Sequence, residues 1–219
     1  MQGIIMSADQ LTLHRKLIDR LAYAHDASMY RLVPEAIARP ENESAVKGLL
    51  EYAQSSGTSI TFRAAGTSLS GQAVTKGIIA EVVRGWKRHE ILDNGAAIRM
   101  QPGVIGGRAN LHLQPYHRRI GPDPASLESA MIGGIISNNS SGMVCGVKHN
   151  SYHTLRHIRF ILANGNCYDT SNADDYGKFL DVEKDLCTGL LLCRKEIETN
   201  SALNNKVRRK YSIKNTLGY

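Results

Sequence analysis

Apolar positions along the chain fall into helical stripes and short extended runs that alternate in order. Over residues 10–25, Leu11, Leu17, Ile18, Leu21 and Ala22 share one helical face, which predicts an amphipathic helix started by Asp9 or Thr12. An extended piece ends at Ala36-Ile-Ala-Arg-Pro40, where the proline argues against continuing helix. Asn42 then caps a second helix whose face is Val46, Leu49, Leu50 and Ala53, with Gly57 placed for a left-handed C-terminal cap. Residues 60–62 and 78–83 are β-like. Strand, helix and strand in that order predict a parallel crossover running into the loop between those two runs.

Further β-like runs cover residues 77–84, 87–92 and 96–101, and Asp93-Asn-Gly95 between the last two predicts a hairpin. Pro102-Gly103 ends the third run, and residues 104–113 are compatible with helix. Residues 121–150 differ in kind, being rich in Gly, Ser and Asn: a long stretch of small residues inside a fold predicts backbone packed closely on something else. A second hairpin is expected from residues 157–162 and 167–170 around Asn164-Gly165. Residues 174–210 read as helix with weak apolar faces. The elements describe an α+β protein without internal repeats.

The loop Arg63-Ala-Ala-Gly-Thr-Ser-Leu-Ser-Gly-Gln72 stands out between its two β-like runs. Small residues and hydroxyls let successive N–H groups turn inward and present a concave, partly positive surface to an anion. Gly66 and Gly71 have the spacing that opens a Walker A loop, but Gln72 and Ala73 replace its lysine and hydroxyl, which argues against a nucleotide triphosphatase. The ordinary G-x-G-x-x-G dinucleotide pattern is also absent. Taken alone, the stretch fits a phosphate cradle or a glycine-containing hairpin turn equally well.

A chain of 219 residues, 42% hydrophobic and 21% charged, has the composition of a globular protein with a real core. Its net charge of +7 is concentrated in residues 194–214, where Arg194, Lys195, Lys206, Arg208, Arg209, Lys210 and Lys214 face only Glu196 and Glu198. Without interleaved aromatics this basic tail reads as a solvated face rather than a nucleic-acid surface. Cys145, Cys167, Cys187 and Cys193 form no C-x-x-C pair and read as reduced thiols of a cytoplasmic protein, not as a zinc or iron–sulfur site. No signal peptide and no membrane-spanning run is evident.

Read together, the motifs resemble the FAD-binding (PCMH-type) domain of the vanillyl-alcohol-oxidase type flavoproteins, nearest the D-2-hydroxyacid dehydrogenases of D-lactate and D-2-hydroxyglutarate. The matching pieces are Arg-x-x-Gly-Thr-Ser-Leu-x-Gly from Arg63, Gln101-Pro-Gly103, and Gly121-Pro-Asp-Pro-Ala-Ser126. They continue with Ile132-Gly-Gly134, Asn138-Asn-x-x-Gly142 and Leu162-Ala-Asn-Gly165, in family order. Asn215-Thr-Leu-Gly-Tyr219 resembles a further piece that lies inside the family domain. The resemblance implies two α/β lobes with FAD in the groove between them: an N-terminal helical segment (1–30), a first lobe (31–103) and a second lobe (104–219) that stops short.

It also implies a set of cofactor contacts. The amides of Ala64, Ala65, Gly66, Thr67, Ser68 and Leu69 would wrap the pyrophosphate, with Arg63, Gly71 and Gln72 beside them. Pro122, Asp123, Ala125 and Ser126 would approach the flavin side. Ile132, Gly133 and Gly134 would bring a helix N-terminus near the cofactor, and Asn138, Ser141 and Gly142 would touch the ribityl chain or pyrophosphate. Gly146 would lie beside the same groove, and Ile158 near the adenine. The family's usual Arg-Gly-Gly-Gly is here Arg63-Ala64-Ala65-Gly66, and alanine is strained wherever φ is positive. Cys145-Gly146 stands where relatives often have Tyr-Gly. Lys148 and His149 face either a phosphate or solvent, and His149 and His153 read as plain histidines rather than flavin attachment points.

The resemblance implies hydride transfer from a D-2-hydroxyacid to flavin, with electrons leaving to a quinone, a cytochrome or an iron–sulfur partner. Substrate-gripping histidines and acids would belong to a later domain, so no catalytic residue and no metal ligand is assigned here. The chain is expected to be a piece of a longer enzyme, peripheral association with the inner membrane being open for the whole. Two alternatives remain: another flavin enzyme of this fold, such as enolpyruvyl-glucosamine reductase, or a non-catalytic anion- or nucleic-acid-binding module using the basic tail. Flavin uptake separates the first two readings from the last, which predicts steeply salt-dependent DNA binding instead.

Overall fold

Ala36, Ile37 and Ala38 are fully buried and form the strand on which the first half of the fold is assembled. The computed structural model describes residues 5–6 and 11–214. Around β3 (Ala36–Ala38) a five-stranded sheet runs in the order β1 (Ile5–Met6), β2 (Leu11–His14), β3, β5 (Ile78–Glu81), β4 (Ile60–Arg63). Ile79 of β5 pairs in parallel with Ile37 on one side and Thr61 on the other. Because the central strands are covered on both faces, they read as unbroken apolar runs.

The helix expected over residues 10–25 is corrected. Leu11-Thr-Leu-His14 alternates with period two, and as β2 it pairs antiparallel with β3, matching Leu13 to Ala38 and His14 to Ile37. That register buries Leu13 completely, whereas Leu17 and Ile18, placed on the helix's supposed inner face, are 62% and 72% exposed. Only α1 (Leu17–Ala22) remains helical, without a side-chain cap at Lys16. Thr12 lies in the strand, and Asp9 lies outside the described residues, as does the 215–219 motif. Among the described residues of the N-terminal stretch, β2 therefore belongs to the main sheet and not to a helix.

The second helix stands as expected. In α2 (Glu43–Ser56) the Asn42 side chain accepts the Ala45 amide at 2.8 Å, and Gly57 closes the helix at φ 66°. Its Leu49 joins Leu13, Ala36, Ala38, Ile78 and Ala80 in one core cluster, with Tyr52 and Ile60 packed on it. Val46 meets Val82 and Trp86 in a second cluster.

Beyond the sheet, β6 (His89–Leu92) and β7 (Ala97–Met100) form the expected hairpin, with Ile91 opposite Ile98. Ile98 and Met100 pack against Val104, Ala109, Ala130, Ile132 and Ile135, from α3 (Gly106–Leu113), α4 (Ile132–Ser137) and their flanks. The division expected at residues 103/104 thus falls inside one packed cluster. After the short α5 (Ser151–Thr154), β8 (Arg159–Ile161) and β9 (Cys167–Asp169) make the second hairpin. Arg159 ties it to α2 by a bidentate pair with Glu43, both contacts at 2.7 Å. The expected C-terminal helix is three: α6 (Ala173–Val182), α7 (Lys184–Thr199) and α8 (Ser201–Tyr211), none with a fully buried residue.

Candidate functional site

Because β4 and β5 pair in parallel, residues 64–77 cannot be a hairpin turn; they must carry the chain from one end of the sheet back to the other. That removes the bland reading of the loop. Its rim has a second property. The amides of Ala64 to Leu69 donate no hydrogen bond to any described residue, although Gly66, Thr67 and Ser68 are only partly exposed. A run of unpartnered N–H groups half out of water is costly unless an acceptor serves it, and an anion serves it best.

Alanine at positions 64 and 65 does not strain the turn. Within the loop the left-handed residues are Gly66 (φ 69°) and Gly71 (φ 74°), while Ala64 and Ala65 keep negative φ. Gly66 is favoured by its φ, and a β-carbon there would also sit 2.6 Å from the Arg63 guanidinium, which would have to shift. Arg63 therefore folds back beneath the loop instead of reaching outward. Its Nη1 donates to the Tyr23 carbonyl at 3.1 Å and the guanidinium lies 5.3 Å from the Tyr23 ring centre. Burial pulls its pKa below the ordinary arginine value, opposed by the charges of Asp26, Tyr23 and Glu81. It remains a cation.

The loop meets the later motifs at one point: Gln72 Nε2 donates to Asn138 Oδ1 at 3.1 Å. Asn138 is the C-terminal cap of α4. The start of α4 is already engaged, because the amides of Ile132 and Gly133 donate to the carbonyls of Val104 and Pro102 at 2.8 and 2.9 Å. Gly133 packs on Pro102, while Gly134 faces open space. The Ile135 amide donates to the Met131 carbonyl at 3.0 Å, so of the first turn only the Gly134 amide lacks an acceptor among the described residues.

Asp123 joins two of the predicted segments. Its carboxylate accepts the amides of Gly142 (2.9 Å), Val144 (3.2 Å) and Cys145 (3.2 Å), pinning the 142–145 turn against Gly121-Pro-Asp-Pro-Ala-Ser126. Burial pushes this carboxyl up, but bonds from the Cys145 thiol and the Cys145, Val144 and Gly142 amides outweigh it, so its pKa lies below the ordinary value. Pro122 is buried, Ala125 exposed and Ser126 partly exposed; the Ser126 carbonyl accepts the Ser129 and Ala130 amides. Ser141 leaves room for a ligand, for its Oγ is buried and, like Arg15 Nε, has no hydrogen-bond partner among the described residues. Gly146 adopts φ 54° with open space around it. Ile158 is exposed, and both its backbone groups engage Thr170, so only its side chain is left for a ligand.

Sequence reasoning missed the floor of the site. Tyr23 donates to Glu81 Oε1 at 2.5 Å, and Arg39 reaches Glu81 Oε2 at 3.1 Å and His14 Nε2 at 3.2 Å. Asp26 accepts the Ser28 amide at 2.9 Å, the Ser28 hydroxyl at 2.5 Å and the Ala73 amide at 3.3 Å. Burial raises its pKa, and the Ser28 and Ala73 bonds together bring the net shift below the ordinary value. The Asp-x-Ser pattern was the available signal, a local turn former at the start of the stretch read as extended after residue 25. Among the described residues no group of His, Cys, Asp or Glu is arranged to hold a metal, and no helix is long and apolar enough to cross a membrane.

Comparison with known proteins is consistent with this geometry. A family profile described as an FAD binding domain matches residues 34–171. D-2-hydroxyglutarate dehydrogenase of Escherichia coli K12 is 31% identical over 156 residues, covering 69% of this chain and 15% of that enzyme. Glycolate oxidase subunit GlcD of the same strain is 29% identical over 140 residues, covering 63% of this chain and 28% of the relative. Among solved structures, 6-hydroxy-D-nicotine oxidase from Arthrobacter nicotinovorans aligns with a TM-score of 0.59 at 20% identity, over 77% of this chain and 36% of that one. The BBE-like 1 protein of Physcomitrella patens aligns at 0.61 and 15%, over 73% and 35%. The chain thus spans a small part of the enzymes it matches, and the structural likeness supports the fold alone: a PCMH-type FAD-binding architecture.

Proposed function

We propose, from the premise that the chain belongs to the FAD binding domain family, that it is the FAD-holding part of a flavoenzyme oxidising a D-2-hydroxyacid of the D-lactate or D-2-hydroxyglutarate type. The observation that carries the FAD reading is the run of unpartnered amides from Ala64 to Leu69 on a loop between parallel strands. The substrate class rests on the identity to D-2-hydroxyglutarate dehydrogenase over the same region.

In this reading Ala64 to Leu69, with Gly71 and Gln72, hold the pyrophosphate by backbone donors, and the half-buried Arg63 supplies positive charge from below. The turn of Pro122, Asp123, Ala125 and Ser126 borders the flavin side. Ile132, Gly133 and Gly134 line the groove, and Asn138 and the unpartnered Ser141 hydroxyl meet polar groups of the ribityl chain or diphosphate. Gly142 holds the wall they stand on, and Gly146 and the Ile158 side chain face the adenine half. When bound, FAD would supply the hydride acceptor for oxidising the substrate's Cα–H to the 2-oxoacid, the hydroxyl proton passing to a base. We place the enzyme in the cytoplasm, with an electron-transfer domain or respiratory acceptor as partner.

Titration of the chain with FAD tests the first half of this reading. Protein-dependent quenching of flavin fluorescence and retention of yellow colour on gel filtration are expected, and no uptake at micromolar protein would overturn it. A panel of D- and L-2-hydroxyacids with the whole enzyme and a dye acceptor tests the second half. Reduction by L-acids alone, or by none of the panel, would reject the substrate class.

A further inference from the structure

Residues 23–30 lie ahead of residue 34, where the family match begins, yet they are laid along the 64–77 loop. Tyr23 receives the Arg63 guanidinium on its carbonyl at 3.1 Å. The Ala27 amide donates to the Gly66 carbonyl at 3.1 Å. Gly71 fits against the Tyr30 ring, where a β-carbon would stand 2.7 Å from Cδ2. Asp26 accepts the Ala73 amide at 3.3 Å and, through Ser28, stiffens its own turn. The contacts are spread over the loop from its first residue almost to its return into β5.

The loop needs such outside support for a physical reason. Within itself it makes few bonds among the described residues: those of the Ser68 hydroxyl with the Ser70 and Gln72 amides and the Gln72 side chain, and that of the Gly77 amide to the Thr75 hydroxyl. Six amides without an acceptor leave the anion-free loop few ties to fix its shape. We infer that residues 23–30 form a strap that holds the loop open-handed before FAD arrives, and that Asp26 is its positioning residue. This inference rests on the FAD reading above. Asp26 does not touch the cofactor; it fixes the Ala73 end of the loop while its charge balances part of Arg63 beneath. The strap thus belongs to the FAD site although it precedes the matched domain.

The test compares wild type, Asp26→Ala, Asp26→Glu and the milder Ser28→Ala in the full chain, with Asp181→Asn as a control for charge on an exposed helix. Two measurements are made: limited proteolysis of the FAD-free protein, scored by nicking within residues 64–77, and FAD affinity by fluorescence titration. Loss of a charge-assisted tie of this kind predicts about tenfold weaker FAD binding in Asp26→Ala. Faster nicking confined to the loop is expected with it, partial recovery in Asp26→Glu, a smaller effect of the same sign in Ser28→Ala and no change in Asp181→Asn. If Asp26→Ala misfolds, Ser28→Ala carries the comparison. Wild-type FAD binding with unchanged nicking and affinity in the folded strap variants would overturn the strap. Absence of FAD uptake by wild type would instead overturn the reading beneath it, and the nicking comparison would still decide whether the strap shapes the loop.

Discussion

The Gly142 amide donates to Oδ1 of Asp123 across 2.9 Å, and a β-carbon on Gly142 would collide with the Asp123 backbone. Two segments far apart in sequence are thus in direct backbone contact at this point. Gly142→Ala is expected to push them apart and to lower stability by about 1–3 kcal/mol, the usual cost of overpacking a tight site. Urea unfolding followed by Trp86 fluorescence measures it, and a variant as stable as wild type would contradict the contact.

Asp123→Asn should show its effect only where the carboxyl is ionised. The folded-state pKa is depressed, so its stabilisation is complete above the unfolded value, near 3.8, and is lost as pH falls through the lower folded value. The stability gap between wild type and Asp123→Asn is expected to be constant from neutrality down to about pH 4 and to close below it. A gap unchanged in acid would mean that the three amide bonds do not depend on the charge.

Restoring the family's glycines at the loop entrance should not help. Ala64 and Ala65 sit at negative φ, so Ala65→Gly is expected to lower stability by roughly 0.5–1 kcal/mol through the entropy of the unfolded chain. Gly66→Ala is a different case, because φ is 69° and the Arg63 guanidinium occupies the space. A loss of about 1–2 kcal/mol is expected from the backbone alone, with weaker FAD binding. Thermal melts of both variants alongside FAD titrations distinguish the two positions.

Trp86 Nε1 donates to the Pro40 carbonyl at 2.6 Å in a buried position. Trp86→Phe keeps an aromatic ring against Val46 and Val82 but strands that carbonyl, a cost of about 1–3 kcal/mol. A fall in Tm of several degrees is expected, and an unchanged Tm would show that water reaches Pro40.

Much of the fold was legible because local rules and tertiary packing agreed. Asn42 and Gly57 bound α2 where capping chemistry places them, and Asp93-Asn-Gly95 closes the predicted hairpin. At residues 11–14 they disagreed: a helical stripe and a strand alternation both fit, and the choice was made by β3, whose free edge buries Leu13. The glycine-rich motifs were located from sequence, but the reason for each glycine was not. Gly66, Gly71, Gly133 and Gly142 are small to admit Arg63, Tyr30, Pro102 and Asp123, partners no sequence pattern names, whereas Gly134 and Gly146 face open space. Asp26 escaped notice for the same reason, since its importance lies in Ala73, distant in sequence.

The placement of β5 between β3 and β4 has a consequence for how the protein comes together. The crossover through α2 leaves a lane between β3 and β4, and Ile78–Glu81, later in the chain than both, fills it at the end of the 64–77 tether. Parallel insertion of this kind closes a long loop before it gains contacts and is slow. On the proposed site, an anion gathered by the tether would shorten its reach and favour the inserted strand, linking cofactor and central strand thermodynamically. If the 64–77 loop holds FAD as proposed, loading should slow hydrogen exchange at Ile79, at the heart of the sheet, as well as along the loop.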